Sequence, residues 1–242
     1  MKRAGQGTVN SRKAPEVRAM FSKIAIRYDL LNALLSFGVD TCWRREATEI
    51  ACEHSPRKVL DVATGTADLA LMMKRRMPSA EVVGVDFAEP MLEVGRSKAR
   101  RYQLDVKLEH GDGLNLPFSA ESFDVVTIAY GLRNFADIRL GLREFYRVLK
   151  PAGRLVVLEF PRPPRGLFGY ALRVYHFRVI PFIGGWISGD RSAYAYLPSS
   201  IREFPDPRTL VGMMRAVGFD RVTYKLQSFG ISALHVAEKR RA

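Results

Sequence analysis

Three times between residues 58 and 149 the sequence passes from a short apolar run through a turn into a helical pattern, and this recurrence limits the possible folds more than any other feature. Val59, Leu60 and Val62 form the first run, and Thr64-Gly65-Thr66-Ala67 then turns into a helix carrying Leu69, Ala70, Met72 and Met73. Residues 81–85 with 90–101 repeat the unit, and so do 123–129 with 137–149; a further strand over 153–159 closes the series. Strands alternating with crossover helices predict a parallel sheet covered on both faces, with ligands beyond the carboxyl ends of its strands. Later, 206–217 reads as a helix stopped by Gly218, and 222–229 and 232–238 read as a hairpin joined at Gly230. Before the series, 17–35 and 43–51 have helical spacing. The expected fold is therefore α/β, a doubly wound, mostly parallel sheet with an antiparallel C-terminal hairpin and N-terminal helices.

Composition narrows the partners. A chain of 242 residues fits one large domain, and 47% hydrophobic with 26% charged residues excludes disorder throughout. We expect a flexible basic arm at 1–14, a single domain at 15–238 with an insertion at 161–205 acting as a lid, and a basic tail at 239–242. The arm lacks the apolar run of a secretory signal. Cys42 and Cys52 cannot build a disulfide framework and have no metal-ligand spacing, so no metal is expected and they read as buried or incidental thiols of a reducing cytoplasm. Of the net charge of +13, Lys2, Arg3, Arg12 and Lys13 supply four and Lys239, Arg240 and Arg241 supply three, leaving +6 for residues 14–238. A basic body attracts either nucleic acid or an anionic bilayer, and charge does not choose between them.

The ligand is read from the strand ends. Leu60-Asp61-Val62-Ala63-Thr64-Gly65-Thr66-Ala67 brings a carboxylate, a glycine and hydroxyls to the end of the first strand, and Asp86 ends the second. An acid there can accept two ribose hydroxyl hydrogen bonds, which predicts a nucleoside. The turn lacks the glycines of a dinucleotide fingerprint and has no phosphate-binding lysine. Asp61 would repel a pyrophosphate but attract a cation, and S-adenosylmethionine carries both a sulfonium and an ammonium. Leu108-Glu109-His110-Gly111-Asp112-Gly113 puts Asp112 at the end of the third strand, where it can meet the adenine amino group, with Gly113 letting the base approach and Leu114 beside it. For each acid taken alone, a helix cap or solvated turn is the plainer alternative.

With Tyr28-Asp29-Leu30-Leu31-Asn32, Ser36, Trp43, Tyr130-Gly131-Leu132-Arg133-Asn134, Arg147-Val148-Leu149-Lys150-Pro151-Ala152-Gly153 and Tyr194-Ala195-Tyr196-Leu197-Pro198-Ser199-Ser200, the chain resembles the quinone-biosynthesis C-methyltransferases. The resemblance runs from about Phe21 to Glu238 and implies a Rossmann-like class I methyltransferase. It departs at Leu31, where the family usually has methionine, and at Asp40, where it usually has histidine. It implies S-adenosylmethionine as cofactor, with Thr66 on the methionine side, Asp86 on the ribose, Asp112 and Gly113 at the adenine, and Ala129 at the end of the fourth strand. It implies a reduced polyprenyl quinol as acceptor, whose ring carbon attacks the sulfonium methyl. Such a site needs a group that stabilises phenolate and one that takes a proton. Arg133 is expected in the first role, with Asn134 orienting the ring oxygen and Asp40 a candidate base. An ion pair capping the next helix is the alternative for Arg133; His176 is a second candidate acceptor facing the ligand, with hydrogen-bonded packing as its alternative.

A polyprenyl acceptor implies peripheral contact with the anionic inner face of a membrane from the cytoplasm. Residues 167–187 are apolar, but Arg173, His176, Arg178, Pro181 and Gly184-Gly185 argue against a span and for an interfacial or pocket-lid segment. Two other readings compete. An RNA methyltransferase lacks its Asn-Pro-Pro-Tyr type segment here, so nucleic acid is not expected; a non-catalytic nucleoside-binding module gives no reason for Arg133-Asn134.

Overall fold

The computed structural model describes residues 36, 38–162, 166, 169, 170, 174 and 199–241. The expected helix at 17–35, the arm at 1–14 and most of the insertion lie outside the described residues.

Helix α1 (Val39–Cys52) precedes the alternating series. The series runs β1 (Lys58–Val62), α2 (Asp68–Arg76), β2 (Glu81–Asp86), α3 (Glu89–Tyr102), β3 (Lys107–His110), β4 (Phe123–Ala129), α4 (Ile138–Val148) and β5 (Leu149–Glu159). After it come α5 (Pro207–Val217), β6 (Phe219–Gln227) and β7 (Ser232–Lys239). The seven strands lie in the order β3-β2-β1-β4-β5-β7-β6. β1 pairs parallel with β2 and β4, β2 with β3, and β4 with β5, whereas β7 is antiparallel to both β5 and β6. The chain winds outward from β1 to β3, then returns to lay β4 on the other side of β1. That reversal opens a crevice at the carboxyl ends of β1 and β4, where doubly wound sheets bind ligands.

The central strands are apolar throughout because both faces are covered. Successive residues point to opposite sides, so Val59, Val82 and Val125 pack under α1, α2 and α3 with Ala47, Leu69, Met73 and Leu92. Leu60, Val83 and Val126 face the other layer, with Leu142 and Phe145 of α4 and Leu210 and Met214 of α5. Two helix starts follow capping chemistry: Asp137 accepts from the Leu140 N–H, and Asp206 accepts from Arg208 and Thr209 with Pro207 in the first turn.

Several boundaries differ from the sequence reading, among them the start of α1 at Val39 rather than 43. β5 starts at Leu149 rather than 153, because the ladder with β4 continues across an irregularity between Phe123 and Val125 while Ala152 takes a positive φ of 61°. β6 starts at Phe219, paired with Lys239, and ends at Gln227, since Ser228, Phe229 and Gly230 all turn to positive φ. β3 ends at His110, which leaves Asp112 two residues beyond it, bridged to Asn115. Cys42 is exposed, and Cys52 is partly buried with its thiol pushed up to about 11 by that burial.

Candidate active site

The turn after β1 is built by alternation: Ala63, Gly65 and Ala67 have φ of 51°, 57° and 66°, and the residues between them do not. Left-handed φ is uncommon for alanine, so the turn is held from outside. Asp86, at the end of β2, does much of this work. Its Oδ2 accepts from the Gly65 N–H at 2.8 Å, and its Oδ1 from the Ala88 N–H at 2.8 Å. Asp61 is 1% exposed and accepts from the hydroxyls of Thr64 and Thr127, both at 2.6 Å. Burial pushes its carboxyl up to about 6 against the pull of those two donors, and raises that of Asp86 as well. Among the described residues neither carboxylate forms an ion pair. Thr66 is buried, and its hydroxyl accepts from Lys98 Nζ, which also pairs with Asp68.

Beyond β3, the exposed Asp112 accepts from the Leu114 N–H at 2.9 Å. Gly113 is buried, and a Cβ there would lie 2.4 Å from the Phe135 ring and 3.0 Å from Val62. The missing side chain thus makes room for Phe135, which sequence reading did not anticipate.

Beyond β4 the chemistry changes. Ala129 ends the strand, Tyr130 follows at φ 57°, and Leu132–Asn134 form one 3-10 turn. Gly131 lets this loop touch the first: a Cβ on it would fall 2.5 Å from the Cβ of Ala63. Arg133 is 7% exposed, with Nη1 donating to Glu159 Oε1 at 2.6 Å and to the Tyr130 carbonyl. The predicted alternative, an ion pair, is therefore present, but its partner is the acid ending β5 rather than a helix. Asp40 of α1 is likewise buried, paired with Arg44 and accepting from Ser36 Oγ at 2.7 Å. The two arginines border one aromatic pair. Tyr130 stacks on Phe160 at 4.4 Å; Arg44 lies 5.3 Å from the Tyr130 centroid and Arg133 5.5 Å from that of Phe160. Trp43 packs edge-on against Phe160 and donates to Ser228 Oγ at 2.9 Å.

Of the predicted residues, Asp61, Gly65, Thr66 and Asp86 gather at the β1 and β2 ends; Asp112 and Gly113 lie beyond β3, and Ala129, Arg133 and Asn134 at and beyond the β4 end. Asp40 stands with Arg133 only through the aromatic pair. Sequence reasoning missed Thr127, Arg44, Glu159 and Phe160. Two of these carried a signal: Thr127 is a lone hydroxyl inside the apolar run of β4, and Glu159 is an acid ending a buried strand, as Asp86 does.

A sheet ordered β3-β2-β1-β4-β5-β7-β6 with acids at successive strand ends defines the class I methyltransferase fold. A solved S-adenosylmethionine-dependent methyltransferase from Thermotoga maritima, a possible histamine N-methyltransferase, superposes with a TM-score of 0.65 over 92% of this chain and 99% of its own, at 18% identity. The chain belongs to the ubiE/COQ5 methyltransferase family, whose model matches residues 8–239. It is 58% identical to the demethylmenaquinone methyltransferase of Thermus thermophilus, over 91% of this chain and the whole of that protein. It is 46% identical to the ubiquinone/menaquinone biosynthesis C-methyltransferase of Geobacter sulfurreducens, over 94% of this chain and 90% of the relative.

Proposed function

We propose that the protein transfers the methyl group of S-adenosylmethionine to a ring carbon of a reduced polyprenyl quinol, either demethylmenaquinol or the benzoquinol precursor of ubiquinone. One observation carries the reading: Asp61 and Asp86 are buried at the crevice and, among the described residues, have only neutral hydrogen-bond donors. A ligand bearing an ammonium and a sulfonium suits that charge, whereas a pyrophosphate does not. Asp61 faces the cationic end of the cofactor, Gly65 and Thr66 its methionine side, Asp86 its ribose, Asp112 and Gly113 its adenine, and Ala129 its reacting side. When bound, the cofactor supplies an electrophilic methyl group.

The chain's own residues prepare the acceptor. Arg133 stabilises the phenolate whose formation enriches the ring carbon, and Asn134 orients the ring oxygen. Asp40 takes the phenol proton, which requires its pairing with Arg44 to open. The names of the relatives support this acceptor class.

A polyprenyl acceptor lives in a bilayer, so the protein docks peripherally on an anionic membrane from the cytoplasmic side, with 161–205 as the lid, and takes no nucleic acid. The net charge of +13 suits an anionic surface without selecting it over nucleic acid, so the bilayer location of the acceptor carries this reading. No helix among the described residues is long and apolar enough to cross a membrane. Binding to anionic vesicles should weaken as salt is added, and protein that ignores such vesicles at low salt refutes the docking. Incubation with radiolabelled S-adenosylmethionine and each reduced quinol, with RNA as control, tests the activity: label in quinol is expected, and label in RNA alone overturns it.

A further inference from the structure

Glu159 is 1% exposed and saturated. Its Oε1 accepts from Arg133 Nη1 at 2.6 Å and from the Phe160 N–H at 2.9 Å, and its Oε2 accepts from the Arg133 N–H at 3.2 Å. Arg133 Nη1 is thereby committed, because it also donates to the Tyr130 carbonyl. Its Nε is buried and, among the described residues, has no partner. A buried donor left unmade is costly, so one at the rim of a crevice points to a ligand.

We propose that Glu159 is a positioning residue for the acceptor: it grips Arg133 by Nη1 alone and so aims the unused Nε–H at the ring oxygen of the quinol. This rests on the acceptor chemistry proposed above. Three observations converge on it. Glu159 ends β5 beside the end of β4, on the acceptor side of the crevice. It binds both the backbone and the side chain of Arg133, which fixes the start of that side chain as well as its tip. Phe160, held by the same carboxylate, lies under the guanidinium at 5.5 Å. The charged and titratable groups facing this cluster are Asp40 and Arg44 of α1, Tyr130 after β4 and Glu159 itself.

The test compares Glu159→Gln, Glu159→Asp and the double variant Arg133→Gln/Glu159→Gln with the wild type and Arg133→Gln. Each is measured for melting temperature, S-adenosylmethionine affinity, and the kcat and KM for reduced quinol across pH. Glu159→Gln should lower kcat at least tenfold with cofactor affinity within threefold, and should move the acid limb of kcat to higher pH, because displacing the guanidinium from the phenolate outweighs removing the more distant carboxylate charge. Glu159→Asp should fall between it and the wild type. In the Arg133→Gln background, Glu159→Gln should restore melting temperature by removing the unpaired charge, yet change turnover less than twofold. Normal kcat and an unmoved pH profile in a folded Glu159→Gln overturn the proposal. So does a Glu159→Gln loss that persists undiminished in the double variant, since it then acts without Arg133. If Glu159→Gln does not fold, Glu159→Asp decides, and wild-type turnover and pH profile in it overturn the proposal. Wild-type protein that labels no quinol sinks the acceptor chemistry instead, which separates the two failures.

Discussion

Among the described residues four buried carboxylates stand around the crevice, and its two halves treat them differently. On the β1–β2 side, Asp61 and Asp86 are held by hydroxyls and backbone N–H groups, and both are pushed towards the neutral form by burial. On the β4–β5 side, Asp40 and Glu159 each carry an arginine. The first half is short of positive charge and the second is balanced. On the proposed reading, a cationic cofactor would complete the first, whereas a neutral ring would enter the second without carrying charge of its own. The difference also assigns cost: an unpaired buried carboxylate lowers stability, while a buried pair is harmful only when it is broken.

Breaking the balanced half should produce the largest effect. Arg133→Ala leaves Glu159 charged and 1% exposed, so we expect a loss of about 3–5 kcal/mol by denaturant titration. Turnover should fall far more than cofactor affinity does; equal losses of both would place Arg133 outside the acceptor half. In the other half, Asp86→Ala removes the carboxylate that ties the turn at Gly65 to β2, and calorimetry should show cofactor affinity reduced tenfold or more. Unchanged affinity contradicts the assignment.

Asp61→Asn sharpens the contrast because stability and function should move apart. The Asp61 carboxyl titrates near 6, above the ordinary value of about 3.9, so between those values the folded chain holds more protons than the unfolded one. Its contribution to stability is therefore full at low pH and falls as pH rises to about 6, by on the order of 3 kcal/mol. His235 does the reverse: burial lowers it to about 4, so its contribution is present above pH 6.5 and lost as pH falls. Asp86, raised by burial as well, adds to the Asp61 slope, so the difference between variant and wild type isolates Asp61. Asp61→Asn should be more stable at neutral pH, bind the cofactor at least tenfold more weakly, and hold a stability advantage over the wild type that grows as pH rises from 4 to 6. Thermal melts of both proteins at several pH values check this, and an advantage that does not change with pH would falsify it. The smallest effect belongs to the seam between the halves: Gly131→Ala forces a methyl against Ala63 and should cost about 1–3 kcal/mol.

The same division explains what could be read from the chain alone. β4 falls at Phe123–Ala129 as expected, because a strand buried on both faces is a continuous apolar run and its ends are where that run stops. Asp61 and Asp86 were legible for the same reason, as acids interrupting or ending such runs. The β4–β5 half was less so. Arg133 was visible as an arginine after a strand, but its partner Glu159 is 26 residues away and is brought to it by sheet pairing, not by spacing. Gly113 illustrates a second limit: the glycine was plain, but that Phe135 fills its place depends on a contact across the loops. The early start of β5 was hidden by Lys150-Pro151-Ala152-Gly153, which reads as a turn and is carried as an irregular stretch of ladder instead.

Because β7 runs against its neighbours, Ser232 lies at the crevice end of the sheet and Lys239 at the far end, some eight strand residues or roughly 25 Å away. Lys239 is anchored there, its Nζ donating to the Leu149 carbonyl. A fluorophore or surface linker coupled at that end of β7 therefore starts from the pole opposite the crevice, and protein held there should keep its mouth open to solution.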